Sequence, residues 1–353
     1  MSTIKLSARR LQSANDMRAV QADMYERGCT DGLPVVPPTE EAVREMLEYA
    51  QIEPDAVLGE MMPRDVPVTA EKAAINAVMA GCLPQYFPVL VAGIKAVCTP
   101  KFNLLGIQAT TNPVCPILII NGPIRRELDI NCGRGCLGPG WRANATIGRA
   151  LRLVMINCGG AIPGEIDKST HGMPGKYSFC FGEIEEESPW QPLHVERGFA
   201  PEQSTVTAIG GQGTASLLAD YLVPENILHL LADGMRCYGY NPYRRAMSSP
   251  LIVMNPGHAG ILADAGWSKQ RVKEPLCDHT KIARSAIPDE RNLLRVVYQE
   301  YPPEQLLTIC AKPEDISLVV AGGPEAYHIT YIPSFGHGDP VTVPITLPDR
   351  SKQ

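Results

Sequence analysis

The chain is short of several things that would have announced its role. It has no apolar run near the roughly 20 residues that a membrane-spanning helix needs, and its opening, Met1-Ser-Thr-Ile-Lys-Leu-Ser-Ala-Arg-Arg10, has no hydrophobic signal core. It also lacks a basic excess. Thirty-two Lys and Arg against 38 Asp and Glu give a net charge of -6, which argues against nucleic acid or an anionic membrane as partner, since both call for a basic face. A phosphate-binding Gly-x-x-x-x-Gly-Lys-[Ser/Thr] string is missing. Gly133-Arg-Gly-Cys-Leu-Gly138 fits Gly-x-Gly-x-x-Gly, but it follows no strand signal and has no acidic residue placed for a ribose, so no nucleotide cofactor is expected. Neither Cys-x2-Cys nor a three-cysteine run occurs among the 11 cysteines. Their odd number and wide spacing speak for reduced thiols in a cytoplasmic protein rather than a disulfide framework. Cys82, Cys98 and Cys310 sit in apolar stretches and read as small buried hydrophobes.

What is present suffices for a large core, with 44% hydrophobic residues over 353 positions. An amphipathic helix is expected from about Leu11 to Arg27, then a stiff Pro-rich segment from Cys29 to Thr39, then a helix to Tyr49 opened by Thr39. From Thr69 a theme repeats. Helices starting at Pro84, Pro224 and Pro303 each precede a continuous apolar run: Pro116-Ile-Leu-Ile-Ile-Asn121-Gly-Pro, Pro250-Leu-Ile-Val-Met-Asn255-Pro-Gly and Ile316-Ser-Leu-Val-Val-Ala-Gly322-Gly. Helices alternating with such runs predict an α/β fold with parallel or mixed sheets built from about three helix-strand units. Internal duplication is one source of the echo, and ordinary α/β alternation is the other. The expected division is an N-terminal arm with helices (1–68), a first lobe (69–200) and a second lobe (201–353). Ligands in such folds sit off the carboxyl ends of strands, which would gather Asn121, Gly122, Asn255, Gly257, His258, Gly322 and Gly323 at one crevice.

Chemistry is expected first in residues 131–160, where a glycine-rich loop runs into an amphipathic helix beginning near Arg142. A helix start offers unpaired N–H groups, and glycines let a ligand approach the backbone. Cys132 and Cys136 can ligate one metal, with Cys29, Cys158 or Cys180 completing the set; soft thiolates suit an iron–sulfur cluster or zinc. Without a metal, Arg134 and the helix start would lower either thiol's pKa and leave a nucleophile; packing is the plain alternative. His171 is a candidate for proton transfer, in reach of Lys176 and Cys180, and so is His258 at a strand exit. His337 is a lesser candidate and His229 reads as packing. Thr110, Thr111, Asn121, Arg134, Arg142, Asn144 and Lys176 are the expected anion-binding groups, and Glu185, Glu186 and Glu187 a solvated face.

The strings Thr30-Asp-Gly-Leu-Pro-Val-Val-Pro-Pro-Thr39, Gly138-Pro-Gly140, Arg142-Ala-Asn-Ala-Thr-Ile-Gly148 and His171-Gly-Met-Pro-Gly-Lys176 resemble those of a mostly uncharacterised bacterial protein family. The resemblance runs over nearly the whole chain. It implies a link, for some members, to a small redox protein carrying a selenocysteine- or Cys-Gly-Ser-Cys motif. Family members carry serine or another small residue where this chain has Cys132 and Cys136, so a thiolate site would be this protein's own. The expected function is cleavage of a carbon–heteroatom bond in a small anionic substrate by a homo-oligomeric lyase or hydrolase, at a thiolate or thiolate-bound metal. The alternative is a non-catalytic subunit carrying a cluster or substrate to a redox partner.

Overall fold

The structure is a computed structural model and describes residues 4–12, 16–239, 241–243, 248–287 and 301–349. It is an α/β fold with two four-stranded mixed sheets. Numbered along the chain, β1 (Val57–Met61) and β2 (Val66–Thr69) form a hairpin. The first sheet holds β3 (Cys115–Asn121), β4 (Cys180–Gly182), β5 (Thr205–Gly211) and β12 (Val341–Pro344), in the order β12-β5-β3-β4. The second holds β6 (Ala215–Leu218), β7 (Leu251–Met254), β10 (Ser317–Val320) and β11 (His328–Ile332), in the order β10-β7-β11-β6, while β8 (Ile282–Ala283) and β9 (Leu306–Leu307) make a short ladder.

The helices are α1 (Met17–Glu26), α2 (Glu40–Ala50), α3 (Ala70–Ala80), α4 (Phe87–Cys98), α5 (Leu104–Ala109), α6 (Ile124–Glu127), α7 (Arg142–Asn157), α8 (Leu193–Glu196), α9 (Pro224–Arg236), α10 (Pro256–Asp264) and α11 (Lys269–His279). Side-chain oxygens of Thr39 and Thr69 cap α2 and α3. The helix expected from Leu11 starts only at Met17, N-capped by Asp16; residues 13–15 lie outside the described residues. No single helix among the described residues is long and apolar enough to cross a membrane.

Alternation along the strands explains their unbroken apolar character. Leu118 and Ile120 of β3 join the core formed with α3, α4 and α7, whereas Ile117 and Ile119 pack against Leu251, Val253 and Val319 of the other sheet. Ile252 and Met254 of β7 face α9 and α11. Helices, sheet, sheet and helices thus form four layers, and each central strand is buried on both faces.

The two sheets share one plan. In each, a central strand (β3 or β7) has a parallel neighbour on one side (β4 or β10) and an antiparallel one on the other (β5 or β11), which pairs in turn with an antiparallel edge. The helices recur in step, α4 before β3 and α6–α7 after it matching α9 before β7 and α10–α11 after it. The edge strands are exchanged: β6 follows β5 in the chain but borders β11, and β12 follows β11 but borders β5. At the crossing, Gly211 bridges Ser334, flanked by Gln212 N to Pro333 O at 2.8 Å and Phe335 N to Gly210 O at 2.9 Å. The sheets therefore divide at residues 212–214, somewhat past the 200/201 boundary read from sequence, and the last strand returns to the first sheet.

Among the described residues the echo is twofold. The helix expected from Pro303 to Ala311 does not form; that segment holds turns and β9. Its leucine pair, Leu306 and Leu307, alternates exposed and buried as a strand does.

One glycine sets how closely the next loop meets α7. A Cβ on Gly148 would stand 2.7 Å from Phe179 N and closer still to Ser178 Oγ, whose hydroxyl donates to Ala145 O at 2.8 Å. Gly148→Val is expected to lower stability by about 1–3 kcal/mol through overpacking, read as a fall in the urea midpoint without change of slope.

Candidate functional site

The glycine-rich loop is braced from below. Asn131 N donates to Asn144 Oδ1 at 2.8 Å, and Asn144 Nδ2 returns hydrogen bonds to Asn131 O and Cys136 O. Asn144 is buried and braces the turn. The loop does border a hollow. Arg134, Cys136 and Gly138 face Asn255, Gly322 and Gly323 across about 570 Å³. Cys132 lines a different hollow of about 350 Å³ with Arg125 and Arg126, and Cys29 a third.

The expected lowering of the thiol pKa values does not occur. Burial drives the Cys136 thiol up to about 12, and burial likewise raises Cys132 although Arg125 Nη1 lies 3.7 Å from its sulfur. Arg134 turns outward to Glu325, where both side chains are exposed. Cys158 and Cys180 are buried, their pKa values also raised by burial. Among the described residues no three His, Cys, Asp or Glu side chains are grouped to hold a metal ion. The two sulfurs of the loop line separate hollows.

Other candidates also resolve into structural roles. His258 is fully buried; its Nδ1 accepts from Asn255 Nδ2 at 2.8 Å and its Nε2 meets Ala219 O at 2.6 Å. Burial lowers its pKa, and both ring nitrogens are engaged inside the fold. Asn121 donates to Glu183 Oε2 at 2.8 Å and Glu185 Oε1 at 2.9 Å. The acidic run is not a wholly solvated face, because Glu185 and Glu186 pair with buried Arg125 at 2.9 and 3.1 Å. Arg142 donates to Gly81 O. Thr110 Oγ1 accepts from Asn112 N, and the Thr111 and Asn112 carbonyls anchor Thr170 N and Ser169 Oγ. His337 is at a positive φ of 97° in the expected turn, and exposed His229 pairs with Asp233 instead of packing.

A charged cavity of about 660 Å³ brings together two stretches far apart in sequence, residues 30–32 and 163–177. Asp31 is fixed to α7 by a two-pronged ion pair with Arg149, 2.8 Å on each prong, and Arg149 also donates to Pro34 O. Opposite, Asp167 is 4% exposed and receives Lys176 Nζ at 2.6 and 2.8 Å; Lys176 reaches Ser169 Oγ at 2.5 Å. From α7, Arg152 enters the same wall, its side chain 8% exposed, and its hydrogen bonds among the described residues are long, 3.3 Å to Asp167 Oδ2 and 3.4 Å to Ala161 O. His171 and Tyr177 stand exposed at the rim. Of the groups singled out from sequence, His171 and Lys176 meet here, without Cys180 or the strand exits.

Sequence reading missed Arg152 and Asp167. Arg152 had a signal: Arg142, Arg149 and Arg152 occupy a 16-residue helix with no acid in it, so their countercharges had to come from elsewhere. Asp167 had none that set it apart from Glu165 and its other polar neighbours.

Burial alone would raise the pKa of Asp167, but the hydrogen bonds from Lys176 and Ser169 outweigh it and hold the carboxyl below its ordinary value. A depressed folded-state pKa contributes stability that is present above the unfolded value of about 4 and disappears as pH falls through the folded value. The Tm gap between the wild type and Asp167→Asn should therefore be widest near neutrality and narrow below about pH 4.

No family model matches the sequence, and no curated protein or solved structure matches it either.

Proposed function

We propose that this chain is an enzyme acting on a small anionic substrate bound in the cavity between residues 30–32 and 163–177. The observation that carries the reading is Arg152. It is a nearly buried cation at a cavity wall whose contact with Asp167, a carboxylate that Lys176 already satisfies, is long among the described residues. Two cations against Asp167 leave the wall net positive, since Asp31 is neutralised by Arg149. A carboxylate can take the place opposite Arg152 in two-pronged geometry, where the low local dielectric strengthens the pairing. His171 at the rim would move the proton. The reaction class we assign is carbon–heteroatom bond cleavage, with the anion end of the substrate anchored by Arg152 and Lys176. This reading leaves Cys132 and Cys136 out of the chemistry.

The test is a thermal-shift and calorimetric panel of small mono- and dicarboxylates, inorganic phosphate and the matching uncharged amides. Carboxylates should raise the Tm and amides should not. No response of the wild type to any anion at millimolar concentration would sink the proposal. Product analysis on the binding compounds then separates turnover from mere carriage.

A further inference from the structure

We propose that Cys277 and Cys310 are an oxidation site that closes to a disulfide under a hydroperoxide. Their sulfurs lie 3.1 Å apart, so a bond of the usual length needs an approach of only about 1 Å. Cys277 sits in the last turn of α11, and Cys310 lies in the turn-rich segment after β9. Both thiols are inside the core that covers the outer face of the second sheet, with Cys277 at 6% exposure and Cys310 at 0%. Cys277 Sγ is also within 3.7 Å of Cys310 O. Among the described residues no other two cysteines share a sulfur–sulfur hydrogen bond. The proposal is independent of the anion cavity, which neither residue lines.

The chemistry balances with the peroxide as oxidant. Cys277, the less buried sulfur, attacks one peroxide oxygen as the thiolate; the O–O bond breaks, hydroxide leaves and a sulfenic acid forms. Cys310 sulfur then attacks the sulfenic sulfur, the S–S bond forms, and the departing hydroxide takes the Cys310 proton as water. The net change is two thiols and one hydrogen peroxide giving one disulfide and two waters. Burial raises the Cys310 pKa and limits access, so the closure is slow. Once formed, the bond ties α11 to the segment after β9 and restrains the chain between them.

The experiment uses the full reduced chain treated with hydrogen peroxide at native pH, then unfolded, alkylated and digested. The expected result is loss of 2 of the 11 alkylatable thiols, a cross-linked peptide joining the Cys277 and Cys310 fragments, and a higher Tm than the reduced protein. The same oxidation performed in denaturant should scatter cross-links over many cysteines, because the pairing depends on the folded geometry. Retention of every thiol, a dominant cross-link elsewhere, or separate sulfonic acids at both positions without a cross-link would overturn the proposal. Cys310→Ser should remove the cross-link and let Cys277 stop at the sulfenic acid, captured by dimedone; a cross-link from Cys277 to some other cysteine in that variant also counts against it.

Discussion

Arg152→Gln should weaken the binding of a small carboxylate by roughly 30-fold or more, while the Tm stays within a few degrees of the wild type. That loss follows from removing a charged hydrogen-bond partner in a desolvated site, worth about 2 kcal/mol or above. Stability should hold because the nearest anion does not depend on Arg152: Asp167 keeps Lys176 at 2.6 Å, against 3.3 Å for the arginine. Lys176→Met should lose both binding and stability, because Lys176 is a second anchor of the anion and also holds Asp167. It strips a 4%-exposed carboxylate of its close cation, and breaking a buried pair by removing one partner typically costs about 3–5 kcal/mol. Calorimetric titration and urea unfolding on both variants decide the matter. Equal affinity of Arg152→Gln and wild type would remove the anion site from its present place.

Glu183→Ala should destabilise the protein about as strongly, by roughly 3–5 kcal/mol, with no direct effect on the anion cavity, which it does not line. Glu183 is 0% exposed at the end of β4. Its Oε2 accepts from Asn121 Nδ2 and from Leu193 N, both at 2.8 Å; its Oε1 faces Val320 N at 3.4 Å and Lys269 Nζ at 3.9 Å. One carboxylate thus links the first sheet, the second sheet and α11. Lys269 and Lys273 are nearly buried too and share Glu196, so loss of Glu183 leaves positive charge under-compensated in the interior. Glu183→Gln, which keeps the shape and one acceptor, should recover part of the loss. Urea midpoints of the two variants against wild type check this; a midpoint for Glu183→Ala within experimental error of wild type would refute the role.

Elements whose cause is local were legible from sequence. Thr39 and Thr69 cap helices as their side-chain chemistry requires, and Cys115–Asn121 and Leu251–Met254 are strands buried on both faces, as their unbroken apolar runs imply. The Pro303 segment failed because a proline followed by leucines suits a helix start and a short strand equally, and pairing with β8 settled it. The site was half legible. His171 and Lys176 stood out by residue type within a loop rich in glycine and proline. The surroundings of Cys132 and Cys136 were not legible, because the burial that outweighs the nearby arginine comes from tertiary packing. Asp31, Arg152 and Asp167 meet only through the packing of α7 against two distant loops, which no local pattern encodes.

The exchange of β6 and β12 between the sheets interlocks the halves like clasped hands. Residues up to Gly211 leave β5 without its outer neighbour until the far end of the chain arrives, and β11 depends in the same way on a strand made before it. During synthesis the early half must wait, its hydrogen-bonding edge uncovered and prone to mispairing, until translation reaches Val341. A stop codon only a few residues upstream of that strand would spoil the half of the protein that was made first.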